Sequence, residues 1–92
     1  MSTREKVEEL VLTDTESSEA HHLVLYNDDF NTFDHVIECL MAVCDHDALQ
    51  AEQCAMIVHF KGKCTVKSGD YEELAPIFKS LSDKDLTVEL NP

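Results

Sequence analysis

Basic residues are scarce in this chain. Seven Lys and Arg stand against nineteen Asp and Glu, a formal net charge of −12 at pH 7. Such a field repels phosphate backbones and anionic membrane surfaces, which argues against nucleic-acid and lipid-headgroup binding and favours a cationic partner patch or an ammonium-bearing ligand. Cysteine pairs of the Cys-x-x-Cys type are absent. Of Cys39, Cys44, Cys54 and Cys64, three fall at apolar positions of predicted helices, so reduced, buried thiols are expected rather than a disulfide framework. No N-terminal apolar stretch resembles a signal peptide, and no run approaches the length that spans a bilayer. A soluble, cytoplasmic protein is the expectation, and no internal repeat is apparent.

What remains is material for one small domain of 92 residues. Residues 1–20 read as a flexible extension. Arg4 to Leu12 has the pattern of a transient helical turn or two, and Thr13-Asp14-Thr15-Glu16-Ser17-Ser18-Glu19-Ala20 is polar and acidic, with little to bury. Residues 21–92 read as the folded part. His22-Leu23-Val24-Leu25-Tyr26 is a strand that stops on Asn27-Asp28-Asp29, residues that favour turns. Phe33, Val36, Ile37, Leu40, Met41 and Cys44 then recur at helical spacing, with Thr32 as N-cap and Asp34 in the first turn. Asp47-Ala48-Leu49-Gln50 resembles a capping box opening a second helix, whose inner stripe is Ala51, Cys54, Ala55 and Val58 and whose end falls near Lys61-Gly62. Lys63 to Lys67 alternates as a half-buried strand, and Ser68-Gly69 turns. Asp70 caps a third helix carrying Tyr71, Leu74, Ile77, Phe78 and Leu81, in which Pro76 is expected to introduce a kink or an early stop. Leu86 to Leu90 closes the pattern as a strand. The expected class is α+β: a small three-stranded antiparallel sheet packed against three helices in the order β-α-α-β-α-β.

Chemistry concentrates at one strand-to-helix corner. Asn27, Asp28 and Asp29 gather side-chain acceptors beside an apolar face, and His59 sits in the apolar run Ala55-Met56-Ile57-Val58-His59-Phe60. Each feature alone has an ordinary structural explanation. Asn and Asp at a turn bond to nearby backbone N–H groups, a histidine in an apolar run bonds to a core carbonyl, and Phe33 starts a helical core stripe. Together they supply what an α-ammonium needs when it leaves water: a carbonyl oxygen, a carboxylate and a neutral ring nitrogen. Charge-assisted bonds of this kind contribute roughly 1.5–3 kcal/mol each. An adjacent hollow adds a comparable amount for a buried Leu- or Phe-sized side chain.

At this point the residues resemble a known family. Leu25-x-Asn27-Asp28-Asp29 followed by Val36, and Val58-His59-Phe60-Lys61-Gly62-Lys63, are similar to the ClpS family of adaptors, which deliver N-degron substrates to AAA+ unfoldases of the Clp protease system; the likeness runs from about Leu23 to Leu90. The resemblance implies a non-enzymatic adaptor domain that binds N-terminal Leu, Phe, Tyr or Trp; no cofactor or metal is expected, and nothing in the sequence demands more than a monomer. It assigns the α-amino group to Asn27, His59 and Asp28 or Asp29, and the side-chain pocket to Asn31, Phe33, Val36, Ala55 and Val58. It also implies docking to the N-terminal domain of a ClpA- or ClpC-type unfoldase beside the third helix, where Glu72 matches, with the N-terminal extension engaged during handover. The chain departs from the family pattern at Phe33 and Ala55, where Met is usual or frequent, at Asn31-Thr32 in place of Thr-Pro, and in a shorter third-helix region lacking a basic residue near Ile77.

Three other readings are weaker. A metal centre lacks Cys and His at ligand spacing, and His21, His22, His35 and His46 are expected to be solvated surface residues. A Cys–His thiol enzyme wants an electropositive, partly exposed thiol, which apolar faces of an acidic chain do not offer. A plain protein-interaction domain, similar in outline to the C-terminal domain of the ribosomal stalk protein, gives Asn27 and His59 no joint role.

Overall fold

The computed structural model describes residues 20–92. The expected extension over residues 1–20 therefore lies, except for Ala20, outside the described residues. The elements run β1 (His21–Tyr26), α1 (Phe33–Val43), α2 (Ala48–Lys61), β2 (Lys63–Gly69), α3 (Tyr71–Asp83) and β3 (Val88–Asn91). The three strands form one antiparallel sheet in the order β2-β1-β3, with three helices packed on it, the expected α+β class.

Capping residues set where the helices begin. Thr32, Asp47 and Asp70 all hold extended backbone angles, and their side chains accept from the N–H groups of His35, Gln50 and Glu73 respectively. Each cap satisfies one donor that the first helical turn leaves unpaired. Helix α2 stops at Gly62, whose φ of 96° is the left-handed conformation that glycine adopts without a Cβ penalty. The core forms where these elements converge. Leu23 and Leu25 of β1 pack with Leu40, Ala51, Val58, Val66, Leu74, Leu81 and Leu86, and five leucines of this set are essentially inaccessible.

Four expectations need correction. Phe33 and Met41 are exposed, and Cys39 takes an inward place on α1, so the buried stripe is rotated from the one expected. Pro76 does not shorten α3, which runs thirteen residues through it; the proline lies on the exposed side. The last strand starts at Val88 rather than Leu86, because Asp85 turns the chain with φ 69° and Leu86 drops into the core. His46 is not a solvated surface histidine but is buried, 6% exposed. Its partner comes from an irregularity in the sheet. The β1–β2 register shifts between Leu23 and Val24, whose partners are Lys67 and Thr65, leaving Val66 out of the ladder. The Val66 carbonyl accepts from His46 Nε2 at 2.8 Å, which puts a ring proton on Nε2 and leaves Nδ1 buried with no partner among the described residues.

Candidate functional site

The corner after β1 is held from two sides. The Tyr26 N–H donates to the Thr87 carbonyl at 2.8 Å, and the Asn27 N–H donates to the Gly62 carbonyl at 2.9 Å. The approach to β3 and the C-terminal end of α2 thus fix where Asn27 stands, and Asn27 itself is exposed.

Asp28 then organises the loop into α1. Its Oδ1 accepts from the backbone N–H groups of Phe30 and Asn31 at 2.9 and 2.8 Å. Its Oδ2 accepts from Asn31 Nδ2 at 2.9 Å and from the Thr87 hydroxyl at 3.0 Å. Asn31 Nδ2 also donates to the Asp85 carbonyl at 2.8 Å, tying the corner to the turn before β3. Burial by itself would raise the Asp28 pKa, but the bonds from Asn31, Phe30 and Thr87 outweigh it and hold the carboxyl below its ordinary value. Its lone pairs are committed. Asp29, exposed at the same corner, forms no side-chain bond among the described residues and keeps its carboxylate open to solvent.

Across from the corner, α2 turns Ala55 and Val58 inward and leaves His59 exposed. The His59 ring meets the Phe60 ring edge-on, centroids 4.9 Å apart at 77°. Asn27, Asp28, Asp29, Asn31, Phe33, Val36, Ala55, Val58 and His59 together line one hollow of about 380 Å³. These are the nine positions that the sequence singled out for the amino group and the side-chain pocket. The structure brings all nine together, with polar atoms from the β1–α1 corner and His59, and an apolar wall from α1 and α2. Glu72 stands elsewhere, exposed in the first turn of α3.

Asp85, Thr87 and Gly62 were not expected at the corner. Two supply bonds from the far end of the chain, and the third supplies the carbonyl that anchors Asn27. The turn-like run Ser82-Asp83-Lys84-Asp85 carried a signal for a tight bend, but nothing local pointed to its partner 54 residues away.

The remaining reactive groups do not make a second centre of chemistry. Burial pushes the thiols of Cys44 and Cys54 up to about 11, Cys54 also through neighbouring Cys64, and burial raises Cys39. A nucleophilic cysteine needs the opposite shift. Cys39 Sγ lies 3.6 Å from His35 Nε2, but that nitrogen is also 3.0 Å from the Lys84 carbonyl, and neither residue lines the hollow. Among the described residues no group of three His, Cys, Asp or Glu is placed to hold a metal ion, and no helix is long and apolar enough to cross a membrane.

A three-stranded antiparallel sheet under three helices, with an acceptor-rimmed hollow where the first strand meets the first two helices, defines a small α+β domain with one composite pocket. The family model described as "ATP-dependent Clp protease adaptor protein ClpS" matches residues 16–88, and the chain belongs to the ClpS family. Among its relatives are the ATP-dependent Clp protease adapter proteins ClpS of Shewanella pealeana and Shewanella piezotolerans, each 36% identical over 59 residues, 64% of this chain. The match spans 58% of each relative's length. The fold is also that of Agrobacterium tumefaciens ClpS2 bound to L-phenylalaninamide, with a TM-score of 0.76 and 21% identity over 80% of this chain and 96% of that one.

Proposed function

We propose that this protein captures polypeptides by a free N-terminal Leu, Phe, Tyr or Trp and delivers them to a Clp AAA+ unfoldase for degradation, performing no chemistry on its cargo. The observation that carries the reading is the mixed lining of the hollow: the hydrogen-bonding side chains of Asn27, Asp28, Asp29, Asn31 and His59 share it with the apolar side chains of Phe33, Val36, Ala55 and Val58. An unblocked chain start offers the matching pair, an ammonium next to a hydrophobic side chain.

Asn27 Oδ1, a His59 ring nitrogen and the Asp29 carboxylate accept from the three ammonium N–H groups. Asp29 offers uncommitted oxygens. Asp28 adds negative charge while fixing the loop, because its own lone pairs are taken. The side chain of the first residue enters between Asn31, Phe33, Val36, Ala55 and Val58. That the A. tumefaciens relative of the same fold is bound to L-phenylalaninamide, an aromatic side chain beside a free amine, supports the reading. The domain acts as a cytoplasmic monomer. It docks on the N-terminal domain of a ClpA- or ClpC-type unfoldase beside α3, where Glu72 projects, and residues 1–20 serve the handover.

Peptides beginning Leu, Phe, Tyr or Trp, titrated against ones beginning Gly or Glu and against N-acetylated copies, test the proposal. The first group is expected to bind, and acetylation to abolish binding. Asn27→Ala and His59→Ala are each expected to weaken binding tenfold or more, the loss of one charge-assisted bond. Their melting temperatures should stay near that of the parent, since both side chains are exposed. Equal affinity across all peptides sinks the reading.

A further inference from the structure

Helix α2 carries more apolar side chain than its buried face uses. Ala51, Ala55 and Val58 are buried, whereas Leu49, Met56 and Phe60 are 63, 46 and 74% exposed. At about 100° per residue, these three lie within a strip about 60–100° around the helix from His59, on one side of it. Met56 and Phe60 are neighbours one turn apart, and Leu49 continues the line two turns before Met56. None of the three lines the hollow, but His59 does, and its ring touches Phe60. The apolar strip therefore begins where the hollow ends. Isolated exposed apolar residues need no explanation, whereas an aligned set bordering a site marks a contact surface.

We infer that this strip is a second subsite, which takes an apolar or aromatic side chain at the second or third position of the chain anchored in the hollow. The inference rests on the terminus-binding reading above. A chain leaving the hollow past His59 advances about 3.3 Å per residue, so it crosses Phe60 within its next two residues. Successive side chains of an extended segment point to opposite sides, so one of those two positions faces the protein and the other faces water. The occupant is thus the same polypeptide, continuous with the residue already held. Phe60 supplies an aromatic face at little entropic cost, and Met56 a flexible one that adapts to different partners.

Fluorescence polarisation with labelled peptides beginning Leu-Ser-Ser, Leu-Phe-Ser and Leu-Ser-Phe, each also in N-acetylated form, reads the inference. The protein is compared with a Met56→Ser, Phe60→Ser double variant, in which both changes are at exposed positions. Phenylalanine at one of the two positions is expected to tighten binding about three- to tenfold in the parent and less than twofold in the variant. The Leu-Ser-Ser peptide is expected to bind both proteins alike, which shows that the variant is folded and its hollow intact. No gain at either position, or a gain that survives in the variant, overturns the second subsite while leaving terminus recognition standing. Binding that ignores acetylation overturns both. Self-association in sedimentation that the double variant abolishes, with no preference at either peptide position, assigns the strip to a second copy of the chain and overturns it as well.

Discussion

Changing Asp28 to Asn isolates the part of the site that is architectural. The substitution preserves shape and one acceptor oxygen, so the bonds from the Phe30 and Asn31 N–H groups survive in neutral form. The second oxygen becomes an NH₂ facing Asn31 Nδ2 at 2.9 Å, so donor meets donor. The Thr87 hydroxyl, 3.0 Å away, must reverse from donor to acceptor. One charge-assisted bond is lost outright and the others are weakened, a destabilisation of about 1–3 kcal/mol at this half-buried place. For a domain of this size that corresponds to a fall of about 4–24 °C in melting temperature. Acidity supplies a second readout. The folded-state pKa of Asp28 lies below its unfolded value, so its contribution is present in full above the unfolded pKa, near 4, and is lost as pH falls through the folded value. Thermal melts by circular dichroism at pH 7, 5, 4 and 3 should show the parent losing stability below about pH 4. The gap between parent and Asp28→Asn should narrow over that range. A variant that melts with the parent at pH 7, or a gap that widens on acidification, refutes the account of the corner.

Two further substitutions test the scaffold away from the hollow. His46→Leu removes the donor to the Val66 carbonyl and strands a buried acceptor; a loss of about 1–3 kcal/mol is expected in urea unfolding, and no loss would mean the bond is replaced by water. Pro76→Ala restores an N–H within the exposed side of α3 and removes a ring that crowds the preceding turn. It is expected to stabilise the domain by about 1–3 kcal/mol, read in the same assay, and a destabilised variant would show that the proline serves the native packing.

Local signals carried most of the fold. Thr32, Asp47 and Asp70 mark helix starts because a side-chain oxygen just before an apolar periodic run has one favourable use, and Gly62 marks an end because few other residues tolerate its φ. Where the local pattern met a long-range partner, reading it failed. Asp45-His46-Asp47 looks like a solvated link, and only the irregular register of β2 against β1, twenty residues on, presents the carbonyl that buries the histidine. The same limit applies at the site. Three acceptors at the corner were legible as a cluster, but which lone pairs are spent on Asn31 and Thr87 depends on how the turn at Asp85 comes back to meet them. The apolar members of the hollow came from a likeness to a family rather than from periodicity, since Phe33 and Ala55 read equally well as ordinary core residues.

The middle strand has one more consequence. Its six residues, at about 3.3 Å per step, set its first and last about 17 Å apart. Its first residue pairs with Gly69 and packs its ring on Tyr71, while its last feeds the rim that holds Asn27. The strand therefore holds the His21–Tyr71 ring contact at one end of the sheet and the hollow's rim at the other, so the two ends can be altered independently.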